Sequence, residues 1–200
     1  MHDLFADTPI EICLKESSAI LIRNFLKTER TSSIFCELME HTPWKQDEIS
    51  FMGKVRPVPR LAAWYSKTMQ SYFYSGIKVA AHPYTNLIAE INNLVEIATG
   101  NEFNSVLVNL YRDGNDSVSW HADDETSLGH SITIASLSLG ASRDFQFKRK
   151  DGQDNSINIE LDDGSLLLMR HPTQRYWFHQ IPKRKRIRNQ RINLTFRYLV

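Results

Sequence analysis

Residues 191–197 read Arg-Ile-Asn-Leu-Thr-Phe-Arg, and this alternation of polar and apolar residues decides the fold. Successive side chains of a β-strand point to opposite faces of a sheet, so the three apolar residues predict one face that packs against another layer. The other face carries Arg191, Asn193, Thr195 and Arg197. Two arginines that point into a β-barrel are costly unless they are paired, and a bound dicarboxylic acid would pair with them.

Three possible metal ligands precede this strand. His121 and Asp123 are two residues apart, so on a strand their side chains would point to the same face, and His179 follows within an aromatic segment. Two imidazoles and one carboxylate form the facial triad of non-haem Fe(II) oxygenases, and 2-oxoglutarate is the usual partner of such an iron. Taken singly, the first two residues could lie in a solvated loop and the third in the apolar core. Their order, with two arginines downstream, favours the metal site.

An earlier apolar segment offers further polar groups to the same ligand. Asn109 and Tyr111 alternate along it in the same way as the polar residues of 191–197. We expect both to offer hydrogen bonds to the dicarboxylic acid. The alternative is ordinary strand polarity, since either residue alone is common on a strand.

The rest of the chain predicts an α+β domain that is mainly β. Apolar residues at helical spacing predict helices over 31–41 and 84–99, and residues 19–26 predict a strand. After Gly100, short apolar segments separated by Asp-Gly turns predict strands at regular intervals. These segments lie at 105–111, 131–139, 144–148, 155–161, 165–170, 175–181 and 192–199. We expect a double-stranded β-helix, a jelly roll of the cupin type, with the N-terminal helices packed on one sheet.

The composition is typical of a globular protein, with 42% hydrophobic and 24% charged residues in a chain of 200. No apolar run approaches the roughly 20 residues that span a membrane, and the N-terminus lacks the features of a secretory signal. The two cysteines are too few for a disulfide framework. We therefore expect an intracellular protein that does not bind a membrane.

The net charge of +1 conceals an uneven distribution. Residues 143–200 contain 13 Lys and Arg against 6 Asp and Glu, whereas residues 1–142 contain 11 against 17. The densest cationic run covers residues 183–188, Lys-Arg-Lys-Arg-Ile-Arg. Such a run favours a polyanion as partner, because phosphate contacts dominate the affinity for nucleic acids. The alternative is a solvated hairpin loop.

Seven motifs in the second half of the chain are typical of one family. They are Asn109-Leu-Tyr111-Arg-Asp-Gly114, Trp120-His121-Ala-Asp123-Asp124-Glu125, Ser138-Leu-Gly140, Arg143-Asp144-Phe145, Asp163-Gly164-Ser165-Leu166, His179 and Arg191-Ile-Asn193-Leu-Thr195-Phe-Arg197. In this order they resemble the AlkB family of Fe(II)/2-oxoglutarate-dependent nucleic-acid dioxygenases. The resemblance extends from about residue 35 to residue 198 and is strongest to DNA repair members of the homologue 2 type, with homologue 3 next.

The resemblance implies a direct-reversal DNA repair reaction. Alkylated bases such as 1-methyladenine and 3-methylcytosine would be demethylated with Fe(II), 2-oxoglutarate and O2, and formaldehyde would be released. It implies that His121, Asp123 and His179 bind the iron, with Arg197 acting beside them in catalysis. It implies a 2-oxoglutarate site made of Asn109, Tyr111, Arg191, Asn193, Thr195 and Arg197. A single domain, residues 1–200, would combine N-terminal helices and a nucleotide-recognition lid (about 1–104) with a catalytic jelly roll (about 105–200).

The substrate side of the resemblance rests on scattered positions. Tyr65 stands where the family places an aromatic that stacks on the base, although Ser66 and Lys67 replace the Gly-Asp that usually follows. Asp124 would contact the alkylated base. A hairpin would insert Phe51 or Met52 into the duplex as a wedge. The remaining positions that the resemblance assigns to the substrate are Gly53, Lys54, Arg143, Arg184, Lys185 and Arg186.

Other functions are compatible with the same residues. An RNA or tRNA demethylase or hydroxylase would share the whole site, a non-catalytic nucleic-acid binder would not need the metal ligands, and a hydroxylase of proteins or small molecules would not need the basic run. We expect alkylated DNA as the partner, a monomeric protein, and a location that is cytoplasmic in a bacterium or nuclear in a eukaryote.

Overall fold

The structure is a computed structural model that describes residues 7–51, 54–74 and 77–200. Its main layer is a seven-stranded antiparallel sheet in the order β1-β2-β13-β10-β15-β8-β5. The strands of this sheet, in that order, are Ile10–Leu14, Ser17–Ile22, Leu166–Met169, Ile134–Gly140, Arg191–Arg197, Ser105–Tyr111 and Leu61–Ser66. The sheet therefore also takes three strands from the first 104 residues, and one of them, β2, overlaps the strand predicted over residues 19–26.

A four-stranded antiparallel sheet faces the first one. Its order is β12-β11-β14-β9, formed by Ile157–Leu161, Arg143–Arg149, Trp177–Ile181 and Val118–His121. Phe145, Phe147 and Trp177 of this sheet form one apolar cluster with Leu167 and Met169 of the large sheet. Two sheets that enclose a common core are the arrangement expected of a jelly roll, so the predicted fold class is confirmed.

Two helices cover the outer face of the large sheet. These are α1 (Thr28–His41) and α2 (Asn86–Thr99), whose buried apolar side chains join Ile192, Leu194 and Phe196 in a second apolar cluster. The apolar face of residues 191–197 therefore packs against the helices and the polar face points the other way, as the alternation predicted. None of the helices in the described part of the chain is long and apolar enough to cross a membrane.

The ends of α2 follow from local chemistry. The hydroxyl oxygen of Thr85 accepts a hydrogen bond from the backbone N–H of Ile88 (3.2 Å), which caps the N-terminus. Gly100 ends the helix with φ +67°, a left-handed conformation that glycine adopts without strain. The helix predicted over 84–99 is thus confirmed. In α1, the carbonyl of Lys27 accepts from Thr31 (3.0 Å), so this helix begins three residues before the predicted start.

The strands predicted after Gly100 are all present, with ends that differ by at most three residues. Residues 173–176 form a short helix, α3 (Thr173–Tyr176), where a strand was expected to begin. Two small hairpins complete the fold. They are β3 (Glu48–Phe51) with β4 (Lys54–Pro57), and β6 (Tyr72–Tyr74) with β7 (Ile77–Val79).

Candidate active site

A cavity of about 280 Å³ lies between the two sheets. The central strands of the large sheet, β8, β10 and β15, supply one wall, and β9 and β14 of the small sheet supply the other. The inward side chains of β15 are polar, so this part of the barrel interior is a polar site within an apolar core. Such a site is where a ligand and its charged partners are expected to meet.

The three predicted metal ligands lie together at this cavity. His179 of β14 is paired directly with His121 of β9, and the centroids of their rings are 4.2 Å apart. Asp123 follows two residues later. One potential ligand atom from each side chain lies within 4.8 Å of the other two. The arrangement of two imidazoles and one carboxylate on one side of a common point can hold a metal ion and leave other positions open.

Asp123 is not on a strand, which corrects the geometry expected from the sequence. Strand β9 ends at His121, and Asp123 is placed by tertiary contacts instead. Its backbone N–H donates to Oε1 of Gln174 (3.0 Å), and Oδ2 of its buried carboxylate accepts from Nη2 (2.6 Å) and Nε (3.1 Å) of Arg197. Burial alone would raise the pKa of Asp123, but Arg197 and the two imidazoles lower it well below its usual range. The carboxylate is therefore charged, as a metal ligand must be.

Both imidazoles are suited to bind a metal as neutral ligands. Burial lowers the pKa of His121 and lowers that of His179 to about 3. Nδ1 of His121 lies 2.8 Å from the carbonyl oxygen of Ser119, which fixes the ring orientation. The ring of His179 stacks on Phe145, and its Nδ1 is buried without a hydrogen-bond partner among the described residues. A buried nitrogen of this kind fits a site whose missing partner is a ligand.

Arg191 is the clearest sign of an anionic ligand. It is 1% exposed, and its Nη2 donates to the hydroxyl of Ser138 (2.9 Å), whereas Nε and Nη1 are buried without a partner within the described part of the chain. Burial lowers the pKa of Arg191 to about 10, although Tyr111, whose ring centre lies 5.1 Å away, favours the charged form. A buried guanidinium with two open donors is matched by a carboxylate that binds in a bidentate manner.

The other residues predicted for the dicarboxylic acid also line the cavity, and Asn109, Asn193 and Thr195 are hydrogen-bonded to neighbouring groups. The amide of Asn193 donates to Oγ of Ser136 (2.7 Å) and to the carbonyl of Leu137 (3.0 Å), and its oxygen accepts from Thr195 (2.8 Å). Asn109 accepts from Nε of Arg60 (2.9 Å). These bonds fix the polar side chains on this side of the cavity, called here the polar wall. Fewer side chains therefore have to become ordered when the ligand binds.

Two residues predicted to contact the substrate have other positions. Tyr65 is buried in the apolar cluster beside α2, and burial raises the pKa of its hydroxyl, which bonds to Thr42. It does not line the cavity. Arg143 is also buried, and its guanidinium donates to three backbone carbonyls, so it is not available to phosphate. The acceptors are Asp113 (3.3 Å), Asp116 (2.9 Å) and Pro182 (2.7 Å).

The predicted basic run forms a loop on the surface, called here the basic loop (residues 183–188). Lys185 and Arg186 are exposed, whereas Arg184 is half-buried and forms an ion pair with Asp144. The backbone of the loop is bonded to Gly114 at two points, through Arg184 N–H to the Gly114 carbonyl (2.7 Å) and Gly114 N–H to the Ile187 carbonyl (2.9 Å). Of the three cations of this loop that were predicted for substrate binding, Lys185 and Arg186 are thus exposed to a polyanion.

Of the remaining predicted substrate residues, the structure describes the side chains of Lys54 and Asp124. Lys54 is exposed at the start of β4. Met52 and Gly53 lie outside the described residues, as does the side chain of Phe51. Asp124 is exposed and forms an ion pair with Lys150 (3.0 Å), and it does not line the cavity.

Several residues at or near the cavity were given no role from the sequence. Ser136, which lines the cavity, and Ser138 alternate on β10 and hold Asn193 and Arg191, and this alternation within an apolar segment was a readable signal. Arg60 and Tyr72 line the cavity from the N-terminal part of the chain. Tyr72 stacks on Trp64 at 4.5 Å between ring centres. No spacing relative to the metal ligands marks these two residues, because only the folded sheet brings them close.

Comparisons with known proteins assign the chain to a class. A family model described as the 2OG-Fe(II) oxygenase superfamily matches residues 18–197, so the chain belongs to this superfamily. The superfamily name supplies the identity of the metal, Fe(II), and of the dicarboxylic acid, 2-oxoglutarate. Both agree with the chemistry of the donor set, since the triad offers nitrogen and oxygen ligands and Arg191 offers open donors to a carboxylate.

Within the superfamily, the relatives are AlkB homologues, which confirms the resemblance found in the sequence. Alpha-ketoglutarate-dependent dioxygenase alkB homolog 3 of Bos taurus is 40% identical over 195 residues, which cover 90% of this chain and 66% of that protein. The DNA oxidative demethylase ALKBH2 of Mus musculus is 38% identical over 160 residues, which cover 76% of this chain and 67% of that protein. The chain thus spans about two thirds of the length of these relatives. Because the sequence identities to homologues 2 and 3 are similar, they do not show that this chain is more similar to homologue 2.

A solved structure shows the same fold. The structure titled "The structure of OsALKBH1" superimposes with a TM-score of 0.68 and covers 94% of this chain and 100% of that chain. The sequence identity is 16%, so this likeness supports the jelly roll and carries no further argument.

Proposed function

We propose that this chain is an Fe(II)- and 2-oxoglutarate-dependent dioxygenase that demethylates alkylated bases in DNA. The observation that carries the proposal is the shared cavity. The three metal-ligand side chains and the open donors of the buried Arg191 line the same 280 Å³ space. A metal and a dicarboxylate would therefore be held side by side, as oxidation driven by 2-oxoglutarate requires.

The residues have distinct tasks in this proposal. His121, Asp123 and His179 hold the iron, which with 2-oxoglutarate and O2 supplies the oxidation of the alkyl group. Arg197 keeps the Asp123 carboxylate charged and oriented through two hydrogen bonds. Arg191 binds the distal carboxylate of 2-oxoglutarate, and Ser138 holds its guanidinium in place. The buried walls of the cavity exclude water, which strengthens these charge pairs.

The residues of the polar wall complete the co-substrate site. Asn109, Tyr111, Asn193 and Thr195 line the space next to Arg191, and the bonds of Asn193 to β10 fix the strand that carries it. In this proposal they orient 2-oxoglutarate and do not change their protonation. A preformed wall of this kind reduces the entropy lost when the ligand binds.

A nucleic-acid substrate is supported by charge and by the relatives. The exposed cations of the basic loop follow β14, the strand that carries His179, so they can contact phosphates while a base enters the cavity. One group of relatives bears the name DNA oxidative demethylase. We infer that DNA is also the substrate of this chain. We further propose that the protein is a monomer and acts in the compartment that holds the DNA. The exact lesion is part of the proposal, with 1-methyladenine and 3-methylcytosine as its candidates.

The test is a panel of oligonucleotides that carry one methylated base each, in DNA and RNA and in single- and double-stranded form. Formaldehyde and succinate should appear together, in equal amounts, with Fe(II), 2-oxoglutarate and methylated DNA. Turnover on RNA that exceeds turnover on matched DNA would replace DNA by RNA as the substrate. Succinate without formaldehyde on every oligonucleotide would show a 2-oxoglutarate oxygenase with another substrate and would overturn the proposal.

A further inference from the structure

The edge strand that carries His121 contains a β-bulge. In the pairing of β9 with β14, Val118 lies opposite Ile181 and His121 lies opposite His179. Two residues, Ser119 and Trp120, therefore oppose a single residue on β14. A bulge of this kind changes the direction of the side chains around it, and bulges are frequent next to active sites.

The bulge has two effects at the cavity. It brings the carbonyl of Ser119 to 2.8 Å from Nδ1 of His121. It also lets Trp120 line the same cavity as its neighbour His121, although consecutive residues of a regular strand point to opposite faces. Trp120 is 37% exposed, so its indole lies at the opening of the cavity and not in its interior.

Positive charge lies beyond the other end of this strand pair. Ile181, the partner of Val118 on β14, is followed by the basic loop, which is bonded to Gly114 and in which Lys183, Lys185 and Arg186 are exposed. An exposed aromatic ring, together with cations along the path of a phosphate backbone, is the combination that binds single-stranded nucleic acid. The ring provides a stacking surface, and the cations provide attraction that does not depend on sequence.

We propose that Trp120 is a stacking residue for single-stranded DNA, binding the base next to the one that enters the cavity. This inference rests on the proposed function and makes it more specific, because it names the strand form that the opening accepts. A neighbouring base that is already unpaired can turn onto the indole. In a duplex the same base stays in its stack, so Trp120 contributes less there.

Fluorescence of the four tryptophans provides a test that does not require turnover. Trp64 and Trp177 are at most 1% exposed and Trp44 is half-buried, so stacking by an external base should quench mainly Trp120. An unmethylated single-stranded oligonucleotide should quench the wild-type protein and Trp44→Phe by the same amount. The quench should disappear in Trp120→Phe, which lacks the indole. A full quench in Trp120→Phe would overturn the proposal.

Kinetics supply the second readout. Trp120→Ala should lower kcat/KM on a methylated single-stranded oligonucleotide about tenfold, which is the lower part of the range for loss of one stacked base. Trp120→Phe should recover most of this loss because phenylalanine also stacks, and turnover of a methylated mononucleotide should stay unchanged in both variants. An equal loss on oligonucleotide and mononucleotide, or no loss on either, would contradict the stacking role. Failure of the proposed function itself is distinguishable, since the wild-type protein would then release no formaldehyde.

Discussion

Arg197 and Asp123 form a buried ion pair in which both hydrogen bonds go to the same carboxylate oxygen. Nη2 and Nε of Arg197 lie 2.6 Å and 3.1 Å from Oδ2, and each side chain is 5% exposed. The other oxygen, Oδ1, lies 3.6 Å from Nε2 of His121. The arginine therefore fixes the charge and orientation of the carboxylate and leaves one oxygen directed toward the imidazole, where a metal would be shared.

Asp123→Asn should abolish succinate formation at saturating Fe(II) while the protein stays folded. The amide keeps the shape of the side chain but removes the charge that the iron requires. The free energy of unfolding should fall by about 3 kcal/mol, because Arg197 would be buried without a counter-charge. Thermal unfolding and succinate assays check both effects. Glu160→Gln, which alters an exposed carboxylate on β12, is the matched control and should change neither. Turnover near the wild-type rate in Asp123→Asn would remove this residue from the metal site.

Arg191→Lys should raise the KM for 2-oxoglutarate by about 10- to 100-fold, because lysine keeps the charge but loses the planar pair of donors that a carboxylate requires. Affinity for DNA should stay the same, since Arg191 is buried away from the surface. Steady-state kinetics and DNA titrations measure the two quantities. Arg170→Lys, at an exposed position after β13, is the control. A drop in DNA affinity with an unchanged KM would instead assign Arg191 to the phosphate surface.

Lys185→Ala combined with Arg186→Ala should reduce the dependence of DNA binding on salt. Each lost phosphate contact changes the slope of log affinity against log salt by about 0.9 on duplex DNA, so the slope should fall by nearly two units. Arg184→Ala should change it less, because Arg184 already pairs with Asp144. Lys27→Ala, before α1, is the control for a general loss of charge. An unchanged slope in the double variant would show that the basic loop is solvated and does not contact DNA.

Gly114→Ala should destabilise the protein and weaken DNA binding together. A Cβ atom at this position would lie 1.8 Å from the carbonyl oxygen of Arg184, so the basic loop would have to move. Overpacking of this kind typically costs about 1–3 kcal/mol. Gly152→Ala is a useful comparison, because nothing lies within 4 Å of the added Cβ, although alanine would be strained at the φ of +72° that this glycine adopts. Thermal unfolding should respond to both changes, and DNA affinity to the first alone. If Gly114→Ala and Gly152→Ala changed DNA affinity equally, Gly114 would not influence DNA binding through the basic loop.

The sequence predicted those parts of the site that follow from local periodicity. The alternation in 191–197 assigned the two faces of β15, and the ordered ligands located the metal site. Asp123 was expected on a strand, but its position depends on Gln174 and Arg197, which lie 51 and 74 residues away in the chain. Contacts between residues so far apart in the chain produce no motif of fixed spacing, so the sequence could not predict them.

The substrate side was less predictable for a physical reason. Tyr65 lies on β5, whose residues 62–66 are all buried, so no alternation of buried and exposed residues marks the side on which the aromatic ring lies. The resemblance assigned Arg143 to the substrate. Its actual partners are backbone carbonyls of two loops, and every residue carries such a carbonyl, so the sequence contains no sign of this contact.

The bulge in β9 also affects how the protein behaves at high concentration. Strand β9 is the outer strand of the small sheet, and outer strands offer unpaired backbone groups to which another chain can add in register. The extra residue at 119–120 breaks that register at the opening of the cavity. Aggregation through this edge is therefore disfavoured, and the strand that carries His121 can lie at the opening of the cavity without becoming a template for a second copy.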